Sequence, residues 1–258
     1  MKTQLMLLAS GPVLRFYLTP VGLTLLAFSF LSWTAVDATA TVTVLPGSSF
    51  TFDGIDGPLV PDGVVPPNLS TEPGATGFAI DTHPAAAHEI FHLNNGVYGN
   101  ANSWLGVATR PINVDFDGVA TVDVPFAGID FAGADLHSIS SFAFGRSNLG
   151  DEFADRTAGT YYVQTTTTPD PDVNTPDGDW TTIGGINISS SNFGDTYRHL
   201  YTLDAPLSAT GLRVVTPGSG TAIDEIEIVG GPVPEPSTLV LAAIGSLSFL
   251  LRRRRRRA

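Results

Sequence analysis

The chain has 258 residues, no cysteine, 13 basic and 25 acidic residues, and a formal net charge of −12 at pH 7. Eight of the basic residues (Lys2, Arg15 and the run from Arg252 to Arg257) and two of the acidic ones (Asp37 and Glu235) lie in the two ends, so the body keeps five against 23, near −18. This argues against nucleic acid as a partner, because a phosphate-binding surface needs clustered Lys and Arg. It also rules out disulfides, so the fold rests on its core, alone or with a metal. An acidic surface stays soluble in salt and attracts divalent cations, but it names no function by itself.

Residues 1–40 have the pattern of a secretory signal peptide. Lys2 and Arg15 supply positive charge, Val21 to Trp33 is mostly apolar, and Ala38-Thr39-Ala40 offers small residues for cleavage. The alternative is an uncleaved N-terminal anchor. Cleavage is preferred because the composition changes abruptly at Thr41. Residues 41–67 are rich in Gly, Pro and Asp and predict a linker or leading strands.

From Leu69 onward short β-type runs alternate with turn clusters. They cover Gly77–Ile80, Ile112–Phe116, Val119–Val124, Ser138–Phe144, Thr160–Thr167, Trp180–Ile188, His199–Leu203, Gly211–Thr216 and Ala222–Val229. Such spacing, with Gly, Pro, Asn and Asp between runs, predicts an all-β sandwich or jelly roll. The last run, Ile223-Asp224-Glu225-Ile226-Glu227-Ile228, alternates only imperfectly.

The order of landmarks resembles the galactose-binding-like, or discoidin (coagulation factor 5/8 C-terminal type), domain across residues 68–231. The landmarks are Asn94-Asn95-Gly96 running into Ser103-Trp104-Leu105-Gly106, then Ile139 to Arg146, Asp155-Arg156 before a strand, Asp179-Trp180, Ala209 to Val215 and Ala222 to Ile228. The resemblance implies an eight-stranded antiparallel jelly-roll β-sandwich that binds carbohydrate. It also implies a calcium ion joining the first loop to the last strand at Asn95 and Glu225. Asn95 stands where the family has Asp, so it offers only a neutral amide oxygen. On the residues alone, Asn95 as a left-handed turn residue and Glu225 as an exposed strand glutamate remain equally open. The ligand-binding residues are unassigned.

His88-Glu89-Ile90-Phe91-His92 spells H-E-x-x-H, which on a helix places two imidazoles one turn apart for zinc with Glu89 as base. Asn94-Asn95-Gly96 would break such a helix within a few residues, and Asn95 and Tyr98 stand where the extended motif needs Gly and His. The stretch therefore predicts a loop. Asp170, Asp172, Asp177 and Asp179 lie among prolines and match no calcium-loop pattern, so they predict a solvated turn. Asp155-Arg156 reads as a structural ion pair, and Trp104 and Trp180 as core aromatics. No catalytic constellation can be assigned.

The C-terminal 232–258 is built differently. Val233, Pro234, Glu235, Pro236, Ser237 and Thr238 form an extended polar hexapeptide. Thirteen uncharged residues, Leu239–Leu251, follow, and then Arg252, Arg253, Arg254, Arg255, Arg256 and Arg257. Proline keeps the first part extended and unpaired. The arginines favour the cytoplasmic face as a membrane stop. Thirteen residues fall short of the ~20 that a free-standing spanning helix needs, which argues against an ordinary anchor. The tail resembles the PEP-CTERM sorting signal of Gram-negative bacteria, a segment also described as an ice-binding protein C-terminal domain. That resemblance implies an exosortase-type transpeptidase as partner, transient anchoring in the inner membrane, cleavage near Pro-Glu-Pro, and release to the cell surface or extracellular matrix.

The expectation is an exported, non-enzymatic surface protein: one galactose-binding-like sandwich, flanked by a signal peptide and a transmembrane sorting tail, that binds carbohydrate or exopolysaccharide. The competing expectations are a structural matrix protein without a ligand and a zinc hydrolase using His88, Glu89 and His92.

Overall fold

The computed structural model describes residues 41–56, 63–64, 68–98, 103–133, 135–146, 154–189 and 197–233. Residues 1–40, expected as a signal peptide, and the sorting tail beyond Val233 lie outside the described residues. Within them there are sixteen strands, five short 3₁₀ turns and no α-helix. The first eight strands are β1 (Val42–Val44), β2 (Phe50–Asp56), β3 (Gly63–Val64), β4 (Thr76–Ala79), β5 (Val97–Tyr98), β6 (Trp104–Leu105), β7 (Arg110–Phe116) and β8 (Val119–Val124). The others are β9 (Phe126–Asp130), β10 (His137–Arg146), β11 (Gly159–Thr166), β12 (Thr181–Ile188), β13 (Tyr197–Ala209), β14 (Gly211–Val215), β15 (Ala222–Ile223) and β16 (Glu225–Pro232).

Ten strands form two principal sheets, where the resemblance implies eight. One sheet has the order β1-β12-β11-β14-β9-β4, the other β16-β10-β13-β2. Every neighbouring pair in both is antiparallel. Residues 41–67, expected as linker or leading strands, supply β1 to the larger sheet and β2 to the smaller.

Period-two alternation decides which side chain enters which core. In the larger sheet, Ala127, Ile129, Tyr161, Val163, Leu212 and Val214 face the smaller sheet and share one apolar cluster with its Phe142, Phe144, Tyr201, Ile226 and Ile228. The intervening residues Phe126, Tyr162 and Val215 face the other way. There they meet Ile112, Val114 and Val124 of the β7–β8 hairpin, with Phe78 and Trp180, in a second cluster. The larger sheet is thus covered on both faces. Trp104 and Trp180 are both buried.

Aromatic rings dominate the main core. Phe50 meets Phe142 edge-on at 5.1 Å, and Tyr201 stacks on Phe142 at 4.9 Å and on Phe144 at 5.7 Å. Such pairs contribute about 0.5–1.5 kcal/mol each beyond burial.

The longest strand, β13, also carries a histidine into this core. His199 alternates with Tyr201 and Leu203, is fully buried, and lies 6.0 Å from the Phe144 ring. Burial lowers its pKa to about 4. The unfolded chain therefore takes up a proton near pH 6.5 that the folded chain refuses until about pH 4. Stability is present above that window and is lost as pH falls through it, by up to about 3 kcal/mol. Comparing urea unfolding of the parent with that of His199→Gln at pH 7 and pH 4 isolates this loss from the opposite contribution of the Glu225 carboxyl, which burial holds protonated. In His199→Gln the loss should shrink; an unchanged pH slope in that variant would exclude His199 as its cause.

Candidate functional site under the first long loop

The imperfect alternation at Asp224 is a structural break. Ile223 ends β15, which pairs with β6, and β16 then starts beside β10. The Asp224 N–H donates to the Gly145 carbonyl across that break. Along β16, Ile226 and Ile228 enter the main core. Glu225 and Glu227 point to the opposite face, yet both are buried, with Glu225 0% exposed. The prior possibility of an exposed strand glutamate is therefore corrected. What covers Glu225 is the loop that the H-E-x-x-H stretch begins.

That loop does not form an α-helix. Ala86–His88 forms one 3₁₀ turn and Ile90–Asn94 another, with Glu89 extended between them. His88 Nδ1 donates to the Ser103 carbonyl at 2.9 Å. His92 is buried, and its Nδ1 accepts from Asn95 Nδ2 at 3.2 Å. Burial lowers the His92 pKa. The two imidazoles thus serve separate local contacts instead of sharing a helix face. Other ties fix the loop: Asn94 Nδ2 donates to the carbonyls of Ser70 and Ala75, and Trp104 Nε1 donates to that of Asp81.

Glu225 meets the loop backbone at the residue after Asn95. The Gly96 N–H donates to Glu225 Oε2 at 3.0 Å, across 129 residues of sequence. Asn95 Oδ1 accepts the Val97 N–H at 3.0 Å, and Gly96 holds the left-handed φ of +79° that the turn needs. Burial pushes the Glu225 carboxyl up to about 9, partly opposed by the Gly96 amide and reinforced by Glu227. Beside it, Glu227 accepts from Arg198 Nε at 2.5 Å and Nη2 at 2.7 Å. Tyr98 is fully buried, and burial, then Glu227 and Glu225, hold its hydroxyl pKa well above the usual value.

This chemistry favours either a proton or a cation on Glu225, because an uncompensated charge there is costly. Glu225 fits a calcium ligand: Oε1 is buried and has no hydrogen-bond partner among the described residues. Asn95 Oδ1 is engaged by Val97. Among the described residues no three His, Cys, Asp or Glu side chains converge on a metal position, so a cation here would also need backbone oxygens.

The remaining sequence candidates lie elsewhere. Asp177 Oδ1 accepts from Arg213 at 2.9 Å and from Arg110 at 3.3 Å, so it closes its loop onto the second core. Arg213, 0% exposed, sits 4.4 Å over Trp180 and 4.8 Å over Phe126. Asp172 is occupied by Asn174 within its own turn. Arg156 lies in the 3₁₀ turn Ala154–Thr157, while the Asp155 side chain lies outside the described residues. Sequence reasoning missed the Arg198–Glu227 pair and the Arg213 stack. The available signal was scarcity: with five basic residues in the body, each arginine inside an apolar run calls for a partner.

Residues 232–256 match the PEP-CTERM protein-sorting motif. This signal marks the chain for export and for processing at the membrane by an exosortase. No curated protein matches the chain. Among solved structures it is similar to a fucolectin from striped bass (Morone saxatilis) serum, with 12% identity, 66% of this chain and 50% of that one covered, and a TM-score of 0.45. It is similar to the family 32 carbohydrate-binding module from Streptococcus pneumoniae EndoD, with 14% identity, coverage of 63% and 98%, and a TM-score of 0.41. For CpGH89CBM32-6 produced by Clostridium perfringens the identity is 14%, the coverage 64% and 100%, and the TM-score 0.39.

Arg198→Ala should destabilise the protein by about 3–5 kcal/mol, because it strands Glu227 in the interior. Arg198→Ala combined with Glu227→Ala should recover much of the loss. Urea midpoints test this: a single variant as stable as the parent would show that the pair is not held in the interior.

Proposed function

We propose that this chain is an exported, non-catalytic protein of the cell surface or extracellular matrix of a Gram-negative bacterium, and that its sandwich binds carbohydrate or exopolysaccharide through the first long loop. Its processing partner is an exosortase-type transpeptidase. The reading takes the sandwich as a galactose-binding-like jelly roll.

The observation that carries the binding proposal is Phe91. It is the one aromatic among the described large apolar side chains that stand exposed, at 54%. A lone exposed aliphatic residue needs no explanation, but an exposed aromatic ring on a pinned loop is informative. The ring packs against buried His92, with centroids 4.1 Å apart, so it is held from one side. Glu89 and His88, two and three residues earlier in the chain, bring hydrogen-bonding groups to the same loop. A supported ring with polar neighbours suits the C–H face and hydroxyls of a sugar.

A glycan array probed with the purified protein should give binding that Phe91→Ala weakens at least about tenfold, or ~1.4 kcal/mol. Its stability should stay within about 0.5 kcal/mol of the parent, because the ring is exposed. A parent protein that binds no glycan would favour the structural-matrix reading.

Calcium belongs to the same proposal. Glu225 and Asn95 would hold it with oxygens of the loop backbone. The ion would supply the positive charge that lets Glu225 ionise, and it would tie the loop to β16. At a hundredfold excess over Kd such an ion stabilises by roughly 2.7 kcal/mol. For a domain of this size that raises Tm by about 5–10 °C. Melting in millimolar calcium should exceed melting in chelator, and Glu225→Gln should abolish most of the difference. Coincident curves would leave Asn95 as a turn residue only.

A further inference from the structure

The folded sandwich has almost no spacer before the sorting motif. β16 pairs with β10 as far as Pro232 opposite His137, and the Val233 N–H still donates to the Leu136 carbonyl at 3.2 Å. Pro234, the first proline of Pro-Glu-Pro, is the next residue. A chain spans at most about 3.6 Å per residue, so the two steps from Val233 to the glutamate of the motif allow a reach of no more than about 7 Å. An enzyme that grips Pro-Glu-Pro from both sides must therefore come up against this end of the sandwich.

Extensive peeling of the strand does not remove that conflict. Ile226 and Ile228 are fully buried in the main core. Gly230 lies so close to β10 that a Cβ there would sit 2.3 Å from the Ser138 carbonyl oxygen. Only the end of the strand beyond Gly230, from Gly231 to Val233, can detach without disturbing that close packing.

The exposed apolar surface falls at the same place. The described large apolar side chains that stand exposed are Phe91, Leu136 at 42% and Val229 at 41%. Leu136 is the residue that receives the Val233 N–H, and Val229 is on β16 itself, its carbonyl accepting from Ser140 Oγ. Leu136 therefore immediately precedes β10 and Val229 lies on β16, the strand from which the tail leaves.

We infer that the Leu136 and Val229 surface at the tail exit is the docking face for the membrane-embedded transpeptidase that processes the tail. This rests on the reading that the tail is processed. A protein is favoured over the lipid surface as occupant because the body is near −18, and anionic headgroups repel such a domain. An enzyme rim with apolar side chains covers Leu136 and Val229 while its cleft receives Pro-Glu-Pro.

The test follows conversion of full-length precursor to the tail-less form by pulse-chase in cells that perform the processing. The combined variant Leu136→Asp, Val229→Asp should mature at least about fivefold more slowly than the parent. Because both positions are exposed, its Tm should stay within about 2 °C of the parent's. Inserting ten Gly-Ser residues between Val233 and Pro234 should leave the parent efficiently processed and should restore most of the lost rate to the variant, because the sandwich no longer has to dock. A variant that matures at the parental rate overturns the inference, and so does a slow variant that the spacer fails to rescue. If the parent itself keeps its tail in these cells, the processing reading fails and the docking face falls with it. A parent that loses its tail normally beside a variant that does so equally fast overturns docking alone and leaves the processing reading standing.

Discussion

A carboxyl group taken fully out of water constrains everything around the first long loop. Glu225 sits on the last strand, faces away from the main core, and is buried by residues more than a hundred positions earlier in the chain. Its contact with the Gly96 amide is thus both a hydrogen bond and a long-range closure. Charging Glu225 without a nearby cation is unfavourable, so the loop stays docked with the group protonated or cation-bound. Phe91, the candidate contact for ligand, sits five residues before Gly96 on the same loop. The exposed ring inherits its position from a buried acid.

The same economy of charge runs through the rest of the domain. Of the five arginines in the body, Arg146 and Arg213 are buried and Arg198 is mostly so. Arg198 neutralises Glu227 next to the first loop. Arg213 reaches Asp177 through the second core, between aromatic rings that accept a cation on their faces. With no cysteine available, these ion pairs and the two apolar clusters tie loops to sheets. The acidic excess is left for the surface, where water solvates it.

Most strands were legible because alternation and turn residues are local signals: β7, β8, β10, β11, β12 and β14 lie where the sequence runs predict them. β9 was not legible. Its run is five residues long with a central glycine, which reads as a turn. In the fold, Gly128 is required because a Cβ there would lie 2.6 Å from the Phe78 ring and 2.7 Å from the Leu212 carbonyl oxygen. β13 runs well past its expected end at Leu203 because the register shift after Thr202 lets the chain carry Pro206 without breaking the sheet. The expectation that Asn95 and Glu225 act together came from resemblance alone. Their neighbours Arg198 and Tyr98 were invisible, because which strand lies opposite which is set by topology and not by local pattern.

Amide hydrogen exchange at Gly96 is the most direct test that the loop depends on the buried acid. Strand amides of β10 and β16 provide the internal reference, and Glu225→Ala removes the acceptor. Gly96 should be protected nearly as well as those strand amides in the parent and should lose that protection in the variant, with the loop from Ile90 to Tyr98 loosening alongside it. A Gly96 amide that exchanges in the parent as fast as an exposed turn, while the strands remain protected, would contradict the view that Glu225 holds the loop.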